Sequence, residues 1–67
     1  MKAVSGKEMW RILERNGWVL TRIHGSHHRF EKAGYPRIVV PVHGNKTLKT
    51  GTQHEIMKQA GLTEDDL

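Results

Sequence analysis

The chain has no cysteine, and only two prolines, one phenylalanine and one tyrosine among its 67 residues. Without cysteine, no disulfide can brace the fold and no thiolate can act as nucleophile or metal ligand. The absence fits a reducing, cytosolic setting. No apolar run approaches the ~20 residues that span a bilayer, so no membrane segment is expected. The opening MKAVSGKEMW lacks the apolar core of a signal peptide. A chain this short forms one domain at most, here taken as residues 1–67. Such a domain buries only roughly 60% of the surface its unfolded chain exposes, so its core is thin.

Acidic residues are scarce over most of the length. Residues 1–50 carry ten Lys/Arg against Glu8, Glu14 and Glu31, a net +7. Residues 51–67 reverse the balance, with Lys58 against Glu55, Glu64, Asp65 and Asp66, a net −3. A basic body with an acidic tail points to a polyanionic partner, nucleic acid first. Net charge bears on association and not on fold, so it does not separate such a partner from simple solubility.

The local signals give an order of elements. Ser5-Gly6-Lys7-Glu8 reads as a capping box, with Val4 and Met9 at the positions of a hydrophobic staple. Met9, Ile12 and Leu13 then form an apolar stripe at helical spacing, and Asn16-Gly17 ends the helix. Trp10 lies at the edge of that stripe, placed to pack over the next strand. Trp18 to Ile23 is rich in β-branched and aromatic residues and reads as a strand. His24-Gly25-Ser26 is a turn. His27 to Lys32 is a second strand and Arg37 to Val42 a third, with Pro41 marking the third as an edge. His43 to Thr47 is a polar loop, from which Leu48 returns to the core. Thr50-Gly51-Thr52-Gln53 reads as a second capping box, opening a helix with Ile56, Met57 and Ala60 on its apolar side. Gly61 closes it, and Thr63 to Asp66 adds at most one turn. The expected class is α+β, helix–three antiparallel strands–helix, with both helices on one face of the sheet. The other face is left open and basic.

The segment HGSHHRFEK, residues 24–32, concentrates the chemistry. Strand side chains alternate faces. Phe30, seeking the core, takes His28 with it toward the helices or the rim. His27 and Arg29 then face the open side. A metal site is not expected: His27 and His28 diverge, and no cysteine or nearby aspartate completes a ligand set. RNA carries its own nucleophile in the ribose 2′-OH, so cleavage needs little beyond proton transfer and cations on the phosphate. His27 beside Arg29, with Arg22 and Arg37 on neighbouring strands, supplies those types. On the residues alone, an ordinary exposed histidine beside an exposed arginine is the better account of them.

The order of motifs extends beyond this segment. Asn16-Gly17-Trp18, then Arg22-Ile23-His24-Gly25-Ser26-His27-His28-Arg29-Phe30, Val39-Val40-Pro41-Val42-His43, Leu48-Lys49-Thr50-Gly51-Thr52 and Lys58-Gln59-Ala60-Gly61-Leu62 follow in sequence. Together, over about residues 5–64, they resemble HicA-type toxins of bacterial type II toxin–antitoxin systems. The resemblance implies a double-stranded-RNA-binding-domain-like fold and an mRNA interferase, a cytoplasmic endoribonuclease that needs no cofactor and blocks translation. It implies an mRNA substrate and a HicB-type antitoxin that covers the active site. The family's catalytic histidine directly follows Gly-Ser, which here is His27, with Gly25 and Ser26 as the supporting turn. His28 is implied to be secondary. Arg29, with Arg22 and Arg37, is expected to hold phosphate, and Lys46 and Lys49 to extend the backbone track. Thr50 departs from the pattern, since the family often has proline there. The alternative from another class is a non-catalytic RNA-binding module of the same fold; a third reading is a purely protein-binding partner encoded beside its antitoxin.

Overall fold

The computed structural model describes residues 1–67. The Ser5 box forms as its spacing dictates. Ser5 Oγ accepts from the Glu8 amide at 3.1 Å, and Glu8 Oε1 accepts from the Ser5 amide at 3.0 Å. Helix α1 therefore starts cleanly and runs Gly6–Arg15. The backbone hydrogen bond from Ser5, then that from its hydroxyl, hold the Glu8 carboxyl below its ordinary pKa. A lowered carboxyl pKa stabilises the folded state fully above the unfolded value, and that contribution fades as pH falls through the folded one. Val4 and Met9, the staple pair, are both buried.

Three strands follow: β1 Val19–His24, β2 His27–Glu31 and β3 Ile38–Pro41. They form one antiparallel sheet in the order β1-β2-β3. Pro41 thus sits at the end of an edge strand, where its missing N–H costs no ladder bond. Phe30 of central β2 is fully buried beneath α1 and α2, with Met9, Leu13 and Val40. Its face carries the rows Leu20–Phe30–Ile38 and Ile23–His28–Val40. The opposite face carries Arg22–Arg29–Val39 and His24–His27–Pro41 and is uncovered. The expected α+β arrangement is present, with both helices on one side.

Helix α2, Thr50–Ala60, ends on Gly61. Its start differs from the expected capping box. Lys49 is the N-cap and no side chain caps the helix. Gln53 is instead almost completely buried, and its amide bridges to the N-terminal segment. Its Oε1 accepts from the Val4 amide at 3.0 Å, and its Nε2 donates to the Lys2 carbonyl at 2.6 Å. A local box competes poorly with two tertiary bonds formed in a dry core. Trp10 packs on β2, its ring 4.9 Å from His28 and 6.3 Å from Phe30.

Gly6 fixes how closely α1 approaches the sheet. A Cβ at this position would collide with the Pro41 carbonyl oxygen and stand 2.9 Å from Val42 Cα. Gly6→Ala should therefore destabilise the protein, by about 1–3 kcal/mol for overpacking, although alanine is the better helix former. Ser5→Ala should cost about 1 kcal/mol as a lost cap. Thermal denaturation at neutral pH measures both. An unchanged melting temperature for Gly6→Ala would contradict the close contact.

Candidate active site

The Gly25-Ser26 turn joins β1 to β2 in two residues, with His24 directly opposite His27. Gly25 has φ 60°, and no non-glycine residue of the chain has positive φ. Glycine at the first of two hairpin positions matches a type II′ turn, whose twist suits the flanking strands. The turn also links β2 to β3. The Ser26 carbonyl accepts the Val42 amide at 2.7 Å, extending the ladder one residue past the His27–Pro41 pair.

The adjacent histidines stand in different environments. His28 is buried and stacked at a tilt against Trp10. Its Nδ1 lies 3.2 Å from the Ser26 carbonyl oxygen. A carbonyl only accepts, so Nδ1 is the donor in this contact. His27 is exposed on the open face, with no hydrogen bond to another protein group. Burial thus follows the alternation set by Phe30.

One row along the same face, Arg22 and Arg29 stand opposite each other. The pairing register slips between Leu20 and Arg22, which makes Thr21 the extra residue of a bulge. The Thr21 hydroxyl donates to the Arg29 carbonyl and accepts from Arg29 Nε, both at 3.3 Å. Glu31 Oε2 lies 3.7 Å from the same Nε. The stem of Arg29 is therefore held, and its terminal nitrogens are left for another acceptor.

Pro41, the cross-strand partner of His27, opens onto a cleft of about 290 Å³ shared with His43, Lys46, Lys49 and Thr52. Its floor is the buried Leu48. Residues 4 and 5 anchor this loop from behind: Leu48 donates to the Val4 carbonyl at 2.9 Å, and Ser5 pairs with Thr47. The cleft holds three side chains that are or can be cationic and no carboxylate.

Of the residues singled out from the sequence, His27, Gly25, Ser26, Lys46 and Lys49 gather at this end of the sheet. Arg22 and Arg29 lie one row away. Arg37 does not join them. It precedes β3 and borders a separate shallow groove with Val39, Glu55 and Gln59 of the α2 side. It lies four residues before Pro41, about 13 Å at the usual rise. Thr21, Glu31, His43 and Thr52 belong to the same surroundings but were not singled out. For His43 the signal was available, since it stands two residues after Pro41, just past the end of β3. No group of three or more His, Asp or Glu side chains converges in a metal-binding arrangement. No helix is long and apolar enough to cross a membrane.

The family model described as HicA toxin of bacterial toxin-antitoxin matches residues 6–62. A solved chain described as a toxin-antitoxin complex from Streptococcus pneumoniae is similar at 38% sequence identity and a TM-score of 0.76. The match covers 88% of this chain and 98% of that one. No curated protein matches.

The two histidines should separate cleanly in a stability measurement. His28→Ala removes a buried ring and should cost about 2 kcal/mol or more. His27→Ala changes an exposed side chain and should stay within about 0.5 kcal/mol of the parent. Chemical denaturation of both variants reads this directly. Equal losses would mean that His27 is also part of the packing.

Proposed function

The chain belongs to the HicA toxin family of bacterial toxin–antitoxin systems, and on that premise we propose that it is an mRNA interferase, a cytoplasmic endoribonuclease whose proton-transfer residue is His27. The observation that carries the reading is the contrast within one dipeptide. His28 is committed to the core, while His27 stands free on a basic face beside a tight turn. Imidazole is the side chain best suited to moving a proton near neutral pH. The substrate is single-stranded mRNA, whose 2′-OH attacks the adjacent phosphate once its proton is drawn off.

Gly25 and Ser26 set the position of His27 through the hairpin geometry. His28 supports them from the core side through the Ser26 carbonyl. Arg29, held at its Nε, offers its remaining nitrogens to phosphate, with Arg22 opposite it. Lys46 and Lys49 continue the cationic track along the cleft. Arg37 lies further along β3 and would meet the substrate only at a distance from the cut. The chemistry proceeds without metal or cofactor: the substrate supplies the nucleophile, and the protein supplies proton transfer and charge. A HicB-type antitoxin neutralises the toxin by covering the exposed face around His27.

Wild type and His27→Ala, induced in cells and assayed in purified form on labelled mRNA, test the reading. The wild type should arrest growth and cut RNA, and His27→Ala should lose about 10²–10⁴-fold in rate. Chelator should leave the purified activity unchanged. RNA that is bound but left intact by the wild type would favour the non-catalytic binding module. Lys46→Ala or Lys49→Ala should weaken RNA binding and lower the slope of log affinity against log salt by about 0.7 for each phosphate no longer neutralised. An unaltered slope would remove those lysines from the track.

A further inference from the structure

A ribonuclease that uses the 2′-OH needs two proton transfers, one from the nucleophile and one to the leaving oxygen. His27 accounts for one. The antiparallel register supplies a candidate for the other. His27 faces Pro41, and the bond from the Val42 amide to the Ser26 carbonyl carries the register one residue further. Carried one residue further, past the end of β3 at Pro41, that register brings His43 level with Gly25 and so onto the diagonal from His27. Diagonal neighbours on one sheet face lie about 7–8 Å apart, within reach of side chains of this length. Gly25 has no side chain to stand between them, and the space above it is open: a Cβ there would meet nothing within 4 Å. His43 is exposed and lines the cleft that holds Lys46 and Lys49.

We propose that His43 is a second catalytic residue of this nuclease, the general acid that protonates the leaving oxygen while His27 acts as the base. The inference rests on the ribonuclease reading above. His27 removes the proton from the 2′-OH. The 2′-oxygen forms a bond to phosphorus as the bond from phosphorus to O5′ breaks. The His43 imidazolium gives its proton to O5′. The products are a 2′,3′-cyclic phosphate and a free 5′-hydroxyl, and the proton taken by His27 balances the one given by His43. The scissile phosphate lies between the two rings, and the cleft beside His43 has room for the departing nucleotide. Lys46 and Lys49 bear on the charge that develops there. His24 is the other exposed histidine near His27, directly across β1–β2, but it does not line the cleft that holds Lys46 and Lys49.

Two substrates separate a general acid from a structural residue. One is an RNA containing the cleavage site mapped with wild-type protein. The other is the same RNA with sulfur replacing the bridging O5′, a leaving group that departs without protonation. On ordinary RNA, His43→Ala and His43→Gln should lose about 10²–10⁴-fold in kcat. On the sulfur substrate most of that deficit should vanish, whereas His27→Ala should stay inactive on both. The alkaline limb of the pH–rate profile, which reports the acid, should be absent in the His43 variants. Melting curves should match wild type, because the His43 side chain makes no hydrogen bond and is exposed, and His54→Ala on α2 should behave as wild type throughout. Full activity of His43→Ala, or equal losses on the two substrates, overturns the assignment, as does sulfur rescue of His24→Ala in its place. Wild-type protein that yields no cleavage site to map on any mRNA overturns the ribonuclease reading itself.

Discussion

The buried amide of Gln53 holds together parts of the chain that share no secondary structure. It reaches from α2 to the backbone of Lys2 and Val4, across about fifty residues of sequence. Val4 in turn receives the Leu48 amide, and Ser5, next along, both pairs with Thr47 and caps α1. The N-terminal segment is thereby a strap, tied at one end to α2 and at the other to the loop that walls the cleft. Losing this amide would strand a buried N–H and a carbonyl at once, each costing about 1–3 kcal/mol unsatisfied. In a domain with so thin a core, that is a large share of the whole stability.

Gln53 also shows where sequence reasoning reaches its limit. The Ser5–Glu8 box and the Thr50–Gln53 box have the same spacing and the same residue classes. The first forms because nothing else competes for its groups. The second does not, because a distant backbone claims Gln53, and a local pattern carries no trace of that claim. Strand alternation was legible for the opposite reason: with Phe30 in the core, the period of two fixes His27 and His28 with no further information. The bulge at Thr21 left no sign in the composition of β1. The cleft depended on the strap holding residues 47 and 48 in place, so Lys46 and Lys49 could be named as basic but not located. Arg37 stands one residue before β3, at the opposite end of that strand from His27's partner Pro41.

The basic residues divide by occupation as well as by position. Lys32 donates to the Asn16 carbonyl at 2.8 Å and lies 5.0 Å from the centre of the Tyr35 ring, which packs against Trp18. That cluster closes the end of the sheet away from the Gly25 turn, and its cation is a structural part. Arg29 is intermediate, its stem fixed by Thr21 and Glu31. Lys46 and Lys49 have no partner carboxylate. A formal net charge therefore overstates what a polyanion meets over most of the surface, and understates what it meets beside Pro41.

The Ser26 carbonyl has one further consequence. It accepts from Val42 and faces the protonated nitrogen of His28, so both of its lone-pair directions are engaged. The turn next to His27 is thus clamped to the neighbouring strand and to the core together. The cleft loop is clamped as well, by the strap. Nothing around the exposed imidazole is arranged as a flap or hinge that could open and shut over it. On the ribonuclease reading proposed above, a toxin built this way has no resting posture of its own, and the proposed antitoxin laid across this face is what restrains it.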